Sequence, residues 1–426
     1  MRAARRLRCA GPCVVAVSLL IGLGAARTAT AAQWYAIPAV RMQTGYADNP
    51  RFATSNREST EIFDLAPTLE VGARAARWGA AVVGGMHLRR YPGASELNRN
   101  DKSARVSSHY DAQRLSWRLD GSYIQTSILG ITQPLGPQTA LVQFQSQRAT
   151  GTANPSLTWQ VTPTDLLRAS YLFEDTSYQD SALLGLSSYR YQRGSLTYQH
   201  DLSARLQVFA IPSYSVFDVS AIGFQSRTVG LRFGVTRVFS PTLSATVSAG
   251  GRRTKSQGVR QVPEGFFINF RGRPVFIRTG IRRVDVSSLN TGITADASFT
   301  KRLERGALTG SFTRALTPGG LGTEVEMNDL SLALNRPLTR RLTGNLSLHL
   351  LRVRTVGVTG TTTRRRADRD YARLSPSLRW KWTRQAAVDL SYAYTWIRIQ
   401  PSRRIARENV IYLTLSYRWP RITLSR

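Results

Sequence analysis

The chain has almost no cysteine and little histidine. Its 426 residues include two cysteines, Cys9 and Cys13, and four histidines. Both cysteines fall in an N-terminal leader, so the rest of the chain predicts no disulfide, thiolate metal site or thiol nucleophile. No run of about twenty apolar residues occurs, which excludes a bundle of membrane-spanning helices. Since no His or carboxylate cluster has metal-ligand spacing and no phosphate-binding or calcium-binding loop is present, we expect no cofactor.

Residues 1–32 have the composition of a secretory signal peptide. Four arginines precede an apolar stretch from Val14 to Ala26, and the small residues Ala29-Thr30-Ala31 follow it. This pattern predicts cleavage after Ala31 or Ala32 and export of the remaining chain.

The charge is strongly positive and is almost entirely arginine. The chain carries +32, and only four of its 58 basic residues are lysine. Removing the five arginines of the leader leaves about +27. Because the basic residues are dispersed along the chain instead of being gathered on one module, we expect no nucleic-acid partner. An exported protein with this charge would meet lipopolysaccharide phosphates, acidic polysaccharide or small anionic solutes.

The last predicted strand, Glu408 to Trp419, alternates strictly between apolar and polar side chains. One side carries Ile411, Leu413, Leu415, Tyr417 and Trp419, and the other carries Tyr412, Thr414, Ser416 and Arg418. Similar alternation predicts about eighteen strands, within a range of 16 to 18, from 34–47 to 407–419. An exported chain whose strands each have one apolar face is typical of an outer-membrane β-barrel.

Connection lengths support the same fold. Connections after even-numbered strands are tight, as at Ala75-Ala76, whereas most of those after odd-numbered strands are long, as at 48–59 and 257–285. In bacterial barrels short turns face the periplasm and long loops face outward. We therefore predict an all-β, antiparallel up-and-down barrel over 33–420, integral to the bacterial outer membrane, with a short tail over 421–426.

Five prolines interrupt predicted strands. A proline removes one ladder hydrogen bond, so it is unusual within a central strand. We expect bulges or extramembrane positions at these sites, and we leave the register open there. The prolines are Pro38, Pro67, Pro155, Pro212 and Pro376.

Arginines within the alternating stretches are expected to face the lumen. An arginine on the lipid face near the middle of the membrane would cost roughly 2–4 kcal/mol. A lumen lined by positive charge would concentrate anions and repel cations. Alternatively, these charges pair with lumen carboxylates such as Asp120, Asp296 and Asp389 and select nothing. The candidates for anion binding are Arg118, Arg168, Arg232, Arg314, Arg373, Arg379, Lys381 and Arg418.

The longest predicted loop, 257–285, interleaves aromatic residues with arginines. Such a loop could fold inward as a constriction, or bind a sugar chain by aromatic stacking and bidentate arginine contacts. The favoured alternative is an outward loop whose arginines meet lipopolysaccharide phosphates. The candidate residues are Phe266, Phe267, Phe270, Arg271 and Arg273.

Enzymatic function is not predicted. Ser347 lies two residues before His349, and Ser107 lies two before His109, so a serine could meet a base on one strand face. Serine-rich strands produce such pairs by chance, and no glycine elbow or third partner accompanies them.

Short motifs in the first third of the chain resemble one family. Tyr46-Ala47-Asp48-Asn49, the segment from Glu61 to Leu69, and Asn154-Pro155-Ser156-Leu157 are similar to the pattern of outer-membrane barrels associated with the PEP-CTERM and exosortase systems. The resemblance implies a single-domain barrel that works alongside exopolysaccharide production or export.

We therefore expect a non-enzymatic barrel that passes or contacts an anionic glycan. A general anion-selective diffusion porin and a plugged structural or surface-anchoring barrel stay open as alternatives. The expected partners are outer-membrane lipid, lipopolysaccharide, the barrel-assembly machinery and an anionic polysaccharide. The oligomeric state is left open.

Overall fold

A computed structural model describes most of the exported chain. Residues 1–31, nearly all of the predicted signal peptide, lie outside the described part. The described ranges are 32–127, 147–179, 186–270, 273–320, 322–356, 368–399 and 404–423.

Eighteen long strands follow one another in a single antiparallel sheet. They are β1 Gln33–Ala47, β2 Thr60–Arg74, β3 Trp78–Arg90, β4 Arg99–Asp111, β5 Leu115–Ser127, β6 Gln147–Gln160, β7 Asp165–Tyr178, β8 Tyr189–Ser203, β9 Leu206–Val219, β10 Phe224–Ser240, β11 Leu243–Phe270, β12 Arg273–Leu303, β13 Gly306–Pro318, β14 Glu324–Pro337, β15 Leu342–Thr355, β16 Arg369–Lys381, β17 Ala386–Ile399 and β18 Arg404–Arg418. Two single-turn 3-10 helices, Ser95–Leu97 and Ser220–Ile222, lie in connections.

The sheet closes on itself between its first and last long strands. β1 pairs with β18 from Ala39↔Arg418 to Ala47↔Val410, so every long strand has two neighbours. Closure removes the sheet edges that would otherwise leave backbone groups unpaired. The prediction of an eighteen-strand antiparallel barrel is confirmed. The predicted tail contains a further short strand, β19 Ile422–Thr423, which pairs with β1 below the seam.

The outer wall is apolar. On β10, for example, Val229, Leu231 and Phe233 point outward and are exposed, while Arg232 between them points inward. Tryptophans are exposed near the tight turns, including Trp382 and Trp419. A closed barrel with an apolar exterior and an aromatic girdle is suited to lipid, and the protein is an integral outer-membrane barrel. No helix among the described residues is long and apolar enough to cross a membrane.

Four of the five prolines interrupt one ladder without changing its register. The β6–β7 ladder, for example, runs from Ala153↔Phe173 to Ser156↔Ser170 with the pairs around Pro155 missing. The same gap occurs at Pro67, Pro212 and Pro376. Each of these prolines keeps its pairing on the other side, so the strands continue without a bulge. Pro38 instead lies just beyond the end of the β1–β18 ladder.

The prediction of a loop over 257–285 is wrong. β11 and β12 continue as a paired hairpin from Gly258↔Val286 to Phe270↔Arg273. β10 pairs with β11 only as far as Gln257, and β13 pairs with β12 only from Ala295. Among the described residues, 258–270 and 273–286 therefore pair only with each other, and we call this segment the hairpin arm.

Candidate functional site in the lumen

The lumen of this barrel is wider than its wall side chains can fill. Barrels of 16 to 18 strands leave an aqueous channel, unlike barrels of eight strands. Inward faces carry serine, threonine and charged residues, as on β10, where Thr228, Arg232 and Thr236 alternate with the outward apolar residues. The inward residues and any segments folded between them therefore define what passes.

Three of the predicted basic residues line the periplasmic half of the lumen without a carboxylate partner among the described residues. Arg118 on β5 pairs in the ladder with His109 and lies near the β4–β5 turn. Arg168 on β7 donates its Nε–H to Thr158 Oγ1 at 3.1 Å. Lys381 is exposed at the end of β16. We call Arg118, Arg168 and Lys381 the lower basic set.

Three other predicted arginines have lumen carboxylate partners. Arg232 contacts Asp296, which lies two strands away on β12. Arg379 faces its ladder neighbour Asp389 at 3.7 Å. Arg418 approaches Glu70 at 3.4 Å near the periplasmic rim. Asp296 and Asp389 are two of the carboxylates that the sequence analysis named as alternative partners of the lumen arginines. Arg232 and Arg379 therefore leave less uncompensated charge than the lower basic set.

The side chains of Arg373 and Arg314 lie in different surroundings. Arg373 faces the lumen, and its Nε–H donates to Ser375 Oγ at 3.2 Å. Arg314 shares the ladder face of β13 that carries the outward Phe312, but it lies where β13 separates from β12, and its guanidinium contacts Glu326 at 2.6 Å inside the barrel wall.

The candidates on the predicted loop belong to the hairpin arm. Phe266 is exposed on β11. Phe267, Phe270 and Arg273 lie within the paired strands, but their side chains are not described, and Arg271 lies outside the described residues. The described residues do not bring this set together with the lumen arginines.

The first outward connection folds into the lumen. Phe52, only 6% exposed, packs with the inward residues Val325, Leu351 and Tyr371 of β14, β15 and β16. Ile397 and Ala406 of β17 and β18 complete this apolar cluster. The sequence signal was a lone aromatic residue within a polar connection, and the interpretation of 48–59 as a plain outward loop missed it.

The Asp48-Asn49 motif fixes this connection to the closing seam. Asp48 accepts hydrogen bonds from Asn409 N at 2.7 Å and from Asn409 Nδ2 at 2.6 Å. The fully buried Asn49 donates to the carbonyl oxygens of Ala53 and Arg407 at 2.9 and 2.8 Å. The residues that carry the family resemblance thus join the end of β1 to β18.

The tip of the β13–β14 hairpin also lies inside the wall. By its ladder position Glu324 belongs to the outward face of β14, yet its carboxylate contacts Ser226 on the inward face of β10. Ser187 donates its backbone N–H to Gly320 O at 3.0 Å. Because β12 and β13 separate above Ala295, this tip, residues 314–320 and 322–326, can tuck under β8–β11. We call it the inner hairpin.

A second contact deeper in the inner hairpin repeats this arrangement. Arg252, buried on the inward face of β11, approaches Glu326 at 3.3 Å. Arg314 reaches the other oxygen of the same carboxylate at 2.6 Å. Glu326 therefore joins the wall at β11 to the hairpin through two guanidinium groups. Sequence alternation could not reveal this contact, since the partners are three strands apart.

Glu324 and Glu408 lie beside these infolded segments. Both are on the extracellular side of the outward apolar band, which begins at Leu330 on β14 and at Ile411 on β18. Burial raises the pKa of Glu324 to about 7, although the Ser226 hydroxyl and the charge of Arg252 oppose the shift. Burial likewise raises the pKa of Glu408 to about 8. Neutral carboxyl groups are therefore favoured where the infolded segments pack.

The serine–histidine pair on β15 is directed elsewhere. His349 Nε2 lies 2.9 Å from Asp329 Oδ2, and the Ser347 hydroxyl donates to Ser375 O at 3.4 Å. The two side chains therefore serve the strand packing around them.

Comparison with known proteins gives no family. No family model matches the chain, and no curated protein matches it. Solved structures that resemble it include Pseudomonas aeruginosa OpdO, at 12% identity and a TM-score of 0.41, covering 92% of this chain and 97% of that one. P. aeruginosa OccK2 (OpdF), solved in complex with glucuronate, has 11% identity and a TM-score of 0.45, with 92% and 98% covered. The ferric-catecholate import receptor Fiu from E. coli K12 has 9% identity and a TM-score of 0.46, with 90% and 81% covered. We draw nothing about function from likenesses this low.

Proposed function

We propose that this barrel is a non-enzymatic outer-membrane channel selective for small anionic solutes. The observation that carries the proposal is the lower basic set, Arg118, Arg168 and Lys381, which faces the lumen without a carboxylate partner among the described residues. Uncompensated positive charge in a water-filled passage raises the local concentration of anions and repels cations.

The two infolded segments support small solutes over a polymer. Phe52 approaches from the β1 side of the barrel, and the inner hairpin approaches the β8–β11 wall. A polymer would have to displace both. A role beside exopolysaccharide production or export, implied by the family resemblance, stays a prediction. Its test is the amount and distribution of extracellular polysaccharide in a deletion strain.

Planar-bilayer recording tests the channel proposal. Reversal potentials in a potassium chloride gradient should give a chloride permeability above that of potassium. Exchanging all three residues of the lower basic set for glutamate should bring the permeability ratio below one, because the local field changes sign.

A matched control is Arg227→Glu. Arg227 is an exposed outward arginine of β10, so its reversal changes the total charge without changing the lumen. The proposal fails if wild-type recordings show no ion preference, or if Arg227→Glu shifts the reversal potential as far per charge as the lumen substitutions do.

A further inference from the structure

The outer wall carries a cluster of arginines around one carboxylate. On β16, Asp370 shares the outward face with Leu374, and its ladder neighbours are Arg352 on β15 and Arg398 on β17. The adjacent inward residue Tyr371 belongs to the lumen cluster around Phe52, which fixes the opposite direction for Asp370. The cluster therefore faces the membrane environment, outside the proposed channel.

Three guanidinium groups converge on the Asp370 carboxylate. Arg352 Nε lies 2.9 Å and Arg354 Nη2 lies 3.3 Å from Oδ1. Arg398 contacts Oδ2 through Nη2 at 2.7 Å and through Nε at 3.1 Å. One carboxylate thus holds three side chains in place but balances only one of their charges.

The remaining charge is accessible. The side chain of Asp370 is 10% exposed, whereas those of Arg352, Arg354 and Arg398 are 58%, 34% and 38% exposed. Arg407 on β18 is also exposed on this face, beside Trp396 in the β17–β18 ladder. These four arginines and Asp370 are the outer-wall arginine cluster.

The depth of the cluster matches the outer headgroup region. Along β17 the outward residues run from Val388 through Leu390 and Tyr392 to Trp396. They span roughly 26 Å of extended strand, which a tilt of about 40° reduces to roughly 20 Å of depth. The guanidinium of Arg398 lies 5.7 Å from the centre of the Trp396 ring. The outer-wall arginine cluster therefore lies just beyond the apolar band, at the end of the barrel that carries the long connections.

We propose that the outer-wall arginine cluster binds a phosphate group of a phosphorylated glycolipid in the outer leaflet. Planar guanidinium groups bind phosphate oxygens through paired, charge-assisted hydrogen bonds, which are about twice as strong as neutral ones. The Asp370 carboxylate keeps the arginines ordered before the lipid arrives. The apolar wall below Trp396 accommodates the acyl chains of the same molecule.

Binding of lipid A to the purified barrel in detergent micelles tests the site. The probes are bisphosphorylated lipid A, the same lipid after enzymatic dephosphorylation, and inorganic phosphate as a competitor. The double substitution R352Q/R398Q should weaken binding of bisphosphorylated lipid A by about tenfold or more. The matched control R227Q, an outward arginine of β10 outside the cluster, should bind as tightly as the wild type.

Folding is followed by heat-modified gel migration. Because R352Q/R398Q leaves Asp370 with fewer partners, the triple variant R352Q/R398Q/D370N removes that carboxylate and should show the same loss of binding while folded. Equal binding of dephosphorylated lipid A, unchanged affinity in the folded triple variant, or equally effective competition by inorganic phosphate would each overturn the assignment.

Discussion

At the scale of single residues, whether an arginine side chain points into the lumen and whether it pairs with a carboxylate are separate questions. Alternation along β5 and β10 correctly predicts that Arg118 and Arg232 face inward. It does not predict that Arg232 meets Asp296, because the partner lies two strands away in the sheet. A strand pattern contains no information on charges across the lumen, so the uncompensated residues could be recognised only from the fold.

Glu324 should make the position of the inner hairpin sensitive to pH. Because burial raises its pKa to about 7, the docked hairpin holds a neutral carboxyl group at low pH. The docked state keeps its full stability below the ordinary value of 4.5 and loses it as the pH rises through about 7. The loss is roughly 3 kcal/mol, from 1.36 kcal/mol per pKa unit.

Single-channel conductance at pH 5 and pH 8.5 measures this effect. We expect the wild type to conduct more at pH 8.5, and Glu324→Gln to lose most of this increase, since a neutral amide has no proton to lose. Ionisation of Glu408, whose pKa burial raises to about 8, accounts for the part that stays. The variant His349→Gln serves as the control, because it removes another titratable lumen group without altering the hairpin contact. A pH response of undiminished size in Glu324→Gln would contradict the prediction.

At the scale of elements, the strands and their parity followed from the sequence, whereas the hairpin arm did not. Wall strands alternate because one side meets lipid and the other meets water. Among the described residues, the arm has no wall neighbour on either edge above Gln257 and Ala295, so no wall contact imposes an apolar face. Its arginines and phenylalanines therefore resembled a loop, although β11 and β12 continue to pair.

The infolded segments were missed for a related reason. The sequence of 48–59 is polar apart from Pro50, Phe52 and Ala53, which is the usual composition of an outward loop. Its position is set by long-range contacts, such as the bond from Asn49 to the Arg407 carbonyl oxygen. The inner hairpin likewise separates from β12 through tertiary contacts at Ser226 and Arg252. Local pattern cannot encode either displacement.

The closing seam depends on a glycine. A Cβ added at Gly45 of β1 would lie 2.4 Å from the Tyr412 ring and 2.5 Å from the Ile411 carbonyl oxygen on β18. Tyr412 can rotate, but the backbone oxygen cannot move without opening the ladder. We therefore expect Gly45→Val to destabilise closure by about 1–3 kcal/mol and to lower the temperature at which the heat-resistant gel form is lost.

Gly84→Val is the matched control for the seam. Gly84 lies on the outward face of β3, and an added Cβ there meets no atom of the described residues within 4 Å. A branched side chain also favours a strand, so this variant should keep the wild-type transition temperature. Equal transition temperatures for Gly45→Val and Gly84→Val would show that the seam tolerates a side chain at Gly45.

At the scale of the whole molecule, the two ends of the lumen differ. The periplasmic half is lined by wall side chains that include the lower basic set. The extracellular half contains three apolar clusters of buried residues, one around Phe52, one around Phe217 and one around Ile62. Leu186 of the β7–β8 connection adds to the second cluster. Among the described residues, these apolar clusters narrow the extracellular half of the lumen more than the periplasmic half.

This asymmetry predicts that a neutral polymer enters from one side only. Polyethylene glycol of intermediate size, added to the periplasmic side of a planar bilayer, should enter the wide half and reduce the current, whereas the same polymer added to the other side should have little effect. Phe52→Ala should lessen the difference, because losing a buried phenylalanine costs about 3–5 kcal/mol and releases the connection it anchors. Phe266→Ala on the exposed hairpin arm should leave this difference between the two sides unchanged. Equal current reduction from both sides of the wild type would mean that the infolded segments leave the extracellular entrance as wide as the periplasmic one.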